Sequence, residues 1–92
     1  MNKEVKTQLN FGSAHIVLLL EDSNTFANNV IAYNDQGQEM WRINDIIKAK
    51  EPCGNSVINK KNDETLVVIS TVGMMYEIDI NKMKIIKSIP SR

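Results

Sequence analysis

Three residues and one loop of this chain could do chemistry, and each also has a structural reading. His15 is the single histidine and could act as a general base or a metal ligand. It sits beside Ile16 at the start of an apolar run, so it reads as a partly exposed structural residue. No spacing of Ser, Asp and His suggests a nucleophile with its base. Cys53, between Pro52 and Gly54, has no second Cys for a redox pair and reads as a loop or strand-edge thiol. Zinc takes about four Cys, His or carboxylate ligands, and one Cys plus one His is a poor start. The stretch Asn34-Asp35-Gln36-Gly37-Gln38-Glu39 has the look of a calcium loop. An EF-hand loop would need ligands at Ala32, Asn34 and Gln36 ahead of Gly37, and Ala32 cannot ligate. A hairpin turn explains it better. Trp41 could be a platform on which a ligand stacks, together with Tyr33. Ile43 shares the face of Trp41 while Tyr33 lies on the partner strand, so Trp41 reads first as an aromatic filling the space between sheets.

Phosphate and nucleic-acid chemistry fare no better. Gly12 and Gly37 are isolated, with no glycine-rich loop to cradle a phosphate. Lys82, Lys84, Lys87 and Arg92 make the C-terminal stretch basic. Base stacking would have only two Phe, two Tyr and one Trp to use. Lysines on a terminal strand more simply keep its edge from pairing with other chains. No residue is nominated as catalytic, cofactor-binding or metal-binding, and no cofactor is expected. A protein that is not an enzyme is the expectation.

The elements that carry these residues follow from periodicity. Val5, Thr7, Leu9 and Phe11 alternate with Lys6, Gln8 and Asn10, the two-residue period of a strand with one wet face. Ile16 to Leu20 is apolar at every position and runs into the polar cluster Glu21-Asp22-Ser23-Asn24. Asn28 to Asn34 and Gln38 to Asn44 flank a turn in which Gly37 supplies the positive φ. Asp45 to Glu51 has helical credentials, with Asp45 placed to cap, but Pro52 stops it, so it is read as a crossover with one helical turn. Ser56 to Asn59 is a short strand, followed by a polar turn at Lys60-Lys61-Asn62-Asp63. Thr65 to Thr71 is β-branched and apolar on both faces. Gly73 marks a reversal. Met74, Tyr76, Ile78 and Ile80 alternate with Met75, Glu77, Asp79 and Asn81, and Lys84 to Ile89 is the last strand before Pro90. The expected fold is all-β: about eight antiparallel strands in two four-stranded meanders. The chain reads as a single domain over residues 1–92, with unit one about 3–44, a crossover at 45–55 and unit two about 56–90.

The two units share a strand, turn, strand theme. Val30 to Ile43 enters the Asn34-Asp35-Gln36-Gly37 turn and leaves as a second apolar run carrying Trp41. Met75 to Ile86 does the same about 45 residues later, with Met83 where a Gly is expected. Several short strands recurring every ~40–45 residues is the spacing of propeller blades. Both stretches resemble β-propeller blades, the first closely and the second loosely. The order from Leu9-Asn10-Phe11-Gly12 onward is also similar to small uncharacterised proteins of Gram-positive bacteria. The resemblance implies a blade-like fold and brings no catalytic or binding residue. Two units fall short of the four or more that close a propeller.

Composition bounds the remaining choices. Eleven basic residues balance eleven acidic ones, so no global field draws the chain to nucleic acid or anionic lipid. Residues 1–46 hold three basic against six acidic groups and residues 47–92 eight against five, balances of −3 and +3. A lone cysteine fits a reducing compartment. The stretch Met1 to Lys6 lacks the apolar core of a signal peptide, and the longest apolar run, Ile16 to Leu20, is far short of the ~20 residues that span a bilayer. The expected location is the cytoplasm. The expected role is protein–protein interaction or self-association as a structural module; the alternative is a small-ligand or carbohydrate binder using Trp41 and Tyr33 as one aromatic surface. Self-association is expected because Ile16 to Leu20 and Leu66 to Ile69 present apolar side chains to both faces of their sheets. Two packed sheets bury only their inner faces. Val17, Leu19, Val67 and Ile69, or their alternates, are then expected to stay exposed until a second copy covers them.

Overall fold

The computed structural model describes residues 5–19, 28–48 and 54–90. Eight strands form two four-stranded antiparallel sheets. The first holds β1 (Val5–Phe11), β2 (Ala14–Leu19), β3 (Val30–Tyr33) and β4 (Glu39–Arg42), in sequence order. The second holds β5 (Asn55–Asn62), β6 (Thr65–Ser70), β7 (Met74–Asp79) and β8 (Lys84–Pro90), again in sequence order. Each is a meander in which consecutive strands pair directly. The radius of gyration, 12.2 Å, is what a chain of this length reaches as one folded body, about 12 Å.

Turn chemistry closes the hairpins. Asn34 accepts the backbone N–H of Gln36 at 2.9 Å and of Gln38 at 3.0 Å, an Asx turn that hands the chain to Gly37 at φ 77°. Asp79 works the same way in the second sheet, accepting the N–H of Asn81 at 2.9 Å and of Lys82 at 3.0 Å. There the left-handed position falls on Met83, at φ 54°, instead of on a glycine. Met83 therefore carries backbone strain that Gly37 does not.

The main core lies between the sheets. The first sheet contributes Ile16, Leu18, Val30, Ala32 and Trp41; the second contributes Ile58, Leu66, Val68 and Ile78. Ile43 and Ile46 join them from a single 3₁₀ turn at Ile43–Asp45. This turn sits two residues earlier than the sequence suggests. Ile43 and Ile46 drop into the core from it, and Asp45 acts from the turn's third position by accepting the Arg42 N–H at 3.0 Å. The remainder of the expected crossover, residues 49–53 with Pro52 and Cys53, lies outside the described residues, as does the Glu21 to Asn24 cluster. The lysine-rich segment is a second correction. Lys60 and Lys61 are not a turn but part of β5, which continues to Asn62. Their side chains find partners instead of open solvent: Lys60 Nζ lies 5.2 Å from the Phe11 ring centroid, and Lys61 Nζ pairs with Glu77 at 2.9 Å.

A buried amide pair ties the sheets together. Asn29, fully buried, donates from Nδ2 to the Leu19 carbonyl at 3.1 Å and to the Asn55 carbonyl at 2.8 Å. Its Oδ1 accepts both the backbone N–H and the side-chain Nδ2 of Asn55, each at 3.1 Å. All four hydrogen-bonding positions of that amide are filled, which is what makes its burial tolerable. Lys6 donating to the Ser56 carbonyl and Lys60 donating to the Asn10 carbonyl, both at 3.0 Å, stitch the exposed rim of the same junction.

Candidate interaction surface

The two sheets repeat each other register for register. Turns at Gly12-Ser13 and Asp63-Glu64 set β2 and β6 in step, so Ile16 corresponds to Val67 and Val17 to Val68. The irregularities correspond as well, except that β5 has an additional extra residue, Lys61, between Lys60 and Asn62. On the first edge, Lys6 is the extra residue between Val5 and Thr7, and Ser56 the extra residue between Asn55 and Val57. On the last edge, Met40 is extra opposite Ala32 and Tyr33, and Ile86 is extra opposite Glu77 and Ile78. Bulges in these places bend the edge strands away from pairing with other chains.

Equivalent sheets nevertheless bury opposite faces. The first sheet turns its Ile16 face to the core, while the second turns its Val68 face, the counterpart of the Val17 face. Two further faces are left over, one per sheet, and their states differ. On the Val17 face, Val17, Leu19 and Ile31 are only 8%, 7% and 2% exposed and form a second small cluster with Tyr33 against it. The expectation that Val17 and Leu19 stay open is thereby corrected. They pack on Ile31 across β2 and β3, in a cross-strand row flanked by Gln8 and Arg42, whose long side chains can cover apolar surface. On the Val67 face, Val57, Ile69, Met75 and Ile89 form one cross-strand row spanning all four strands. Val57 is 37% exposed and the other three are half-buried. Beside them runs the row Asn59, Val67, Glu77 and Lys87. This is the open apolar face of the molecule's described part.

The aromatic alternative loses its geometry. Trp41 is 5% exposed and points into the core, opposite Ala32, whereas Tyr33 belongs to the other face of the same sheet. The bulge at Met40 lies between their rows, and the two rings do not share a surface.

The polar candidates gather at one end of the Val17 face, bonded to neighbouring side chains. The His15 ring is held at both nitrogens, Nδ1 at 2.8 Å from Asn10 Oδ1 and Nε2 at 2.9 Å from Asp35 Oδ1. Arg42 donates to Glu39 twice, at 3.1 and 3.0 Å, and that hydrogen bonding raises the guanidinium pKa above its ordinary value. Arg42 is thus a fixed cation. Among the described residues no group of three or more His, Cys, Asp and Glu side chains could hold a metal ion. Asn34 to Glu39 is a hairpin turn whose Asn34 oxygen faces its own backbone. Among the described residues no helix is long and apolar enough to cross a membrane. Reading by residue type passed over Met75 and Ile89, which only the pairing register places in one row, and Asn29 and Asn55, which as asparagines carry a turn signal.

No curated protein and no solved structure matches the chain. A family model matches residues 1–88, and the chain belongs to that family, described as Domain of unknown function (DUF7957).

Proposed function

We propose that this chain is a non-catalytic interaction module, built from two propeller-blade-like units, that self-associates through the Val67 face of its second sheet. The observation that carries this reading is the row Val57, Ile69, Met75 and Ile89, an apolar stripe across a sheet face that no core cluster of the described residues covers. The repeated registers and bulges support the blade-like description, and two units cannot close the ring of four or more blades that would cover such a face. The engagement of both His15 nitrogens supports a structural role for the only imidazole. A lone thiol at Cys53 favours the cytoplasm, and neither nucleic acid nor membrane is a partner in this reading.

Energetics set the expected strength. Fully burying an aliphatic side chain is worth ~1.5–3 kcal/mol; these four are already half-covered, and a dimer covers them on both copies. Roughly 6–12 kcal/mol is therefore available, from which an association cost of about 4 kcal/mol or more is subtracted. The dimer is therefore concentration-dependent. An interaction of about 4 kcal/mol is half-formed near 1 mM. Sedimentation equilibrium, run up to that concentration, should show the mass rising from 10.4 kDa toward twice that value. Ile69→Lys should hold it at the monomer mass. A wild-type mass that stays at 10.4 kDa at every concentration rejects the proposal.

A further inference from the structure

We infer that the partner of the Val67 face is the same face of a second copy, related by a two-fold axis, and not the Val17 face of a copy stacked head to tail. The inference rests on the self-association proposed above and names its geometry. Inside the chain, the junction between sheets is head to tail: the Ile16 face of one unit meets the Val68 face of the next. Repetition of that junction between molecules would set the Val67 face of one copy, counterpart of the Ile16 face, on the Val17 face of another. Such a heterologous contact closes into a ring or grows without limit.

Half of that contact is already closed. Val17, Leu19 and Ile31 are buried within the single chain, so a second copy gains nothing from them. Among the described residues the Val67 face is left half-open, and in this reading it meets itself, in an isologous, two-fold contact. Its composition suits self-pairing. The apolar row crosses all four strands and can lie against its own symmetry mate. In the neighbouring row Glu77, its side chain 12% exposed, is already paired with Lys61 of its own chain at 2.9 Å, so its charge is met before a mate arrives and the apolar row carries the contact. Register comparison shows where the second sheet has been made compatible with water. Ala32 and Trp41 of the first sheet's core face become Glu77 and Lys87 on the open face. A face half polar and half apolar fits a dimer whose monomer is itself soluble.

Single-cysteine cross-linking in the full chain separates the geometries. Ile69→Cys and Met75→Cys are each made in a Cys53→Ser background, with Gln36→Cys on the exposed turn as control, and their masses are checked by sedimentation. Facing sheets lie about 10 Å apart, beyond the Cα reach of a disulfide, so the thiols are joined with a bismaleimide whose spacer spans about 10 Å. Two-fold pairing brings one of the two central positions within that span of its own symmetry mate. That variant should form covalent dimer about tenfold more readily than the control. Dimeric mass with no self-linking at either position, and linking only when Ile69→Cys is mixed with Tyr33→Cys, overturns the two-fold geometry and leaves self-association standing. Monomeric mass for wild type and variants alike overturns both.

Discussion

The first and second sheets share strand order, pairing direction and the placing of a bulge on each edge strand, yet they lead different lives. In the first, both faces are closed: the Ile16 face by the core and the Val17 face by a second cluster. In the second, the Val68 face is closed and, among the described residues, the Val67 face is half-open. The difference does not come from the backbone, because the registers agree. It comes from side chains at matched positions, where Leu9, Ala32 and Trp41 give way to Asn59, Glu77 and Lys87. One backbone pattern can thus serve as an interior layer or a surface layer, depending on a few substitutions on one face.

Breaking the joint between the sheets should have the largest effect. Asn29→Ala removes four hydrogen bonds in a buried place, taking a partner from the Leu19 and Asn55 carbonyls and from the backbone N–H and side-chain amide of Asn55. At about 1–3 kcal/mol for each group left short of a partner, the loss should be about 3–5 kcal/mol in chemical denaturation. A matched pair then probes the comparison directly. Leu18 and Ile69 are register counterparts, the first fully buried and the second on the open face. Leu18→Ala should cost about 2–5 kcal/mol at any protein concentration. Ile69→Ala should cost under about 1.5 kcal/mol in dilute solution, with a larger deficit as concentration rises and the dimer is lost. Equal costs for the two would mean that the faces are not in different states.

The turns offer a smaller and opposite-signed test. Met83→Gly relieves a left-handed residue and should stabilise the chain by about 0.5–1 kcal/mol, while Gly37→Ala at φ 77° should destabilise it by about 1 kcal/mol. Thermal melts of both variants, read side by side, show whether the two turns are equivalent. The smallest effect belongs to the exposed His15 and Asp35 contact. Asp35→Asn should change stability by less than about 0.5 kcal/mol, since exposed pairs contribute little.

Much of this architecture is legible in the sequence, and the reason is physical. Alternation at 5–11 and 74–81 is set by the strand period itself, and the Asn34 to Gly37 turn has the chemistry its geometry needs. Met83 stands where the repeat asks for glycine and does take a positive φ. Three features were hidden. The lysine pair at 60–61 carries a turn-like composition, yet it lies in β5 because Phe11 and Glu77 receive its charges. Asn29 reads as part of the Asn28 to Asn34 strand and Asn55 as the end of the crossover, and nothing local shows that each amide will find the other across 26 residues. Which apolar face is covered is a property of packing: Val17 and Ile69 look alike in their runs, and only the tertiary arrangement closes one and leaves the other half-open. Trp41 and Tyr33 were separable only through the bulge at Met40, which sequence spacing does not disclose.

The central claim is that one defined face of the second sheet is open and meets a second copy. Methyl chemical shifts recorded across a dilution series test it residue by residue. We predict concentration-dependent shifts at Val57, Ile69, Met75 and Ile89, with Val17, Leu19 and Ile31 unmoved. Shifts centred on Val17 and Ile31, or spectra that stay identical from dilute solution to about 1 mM, contradict the account.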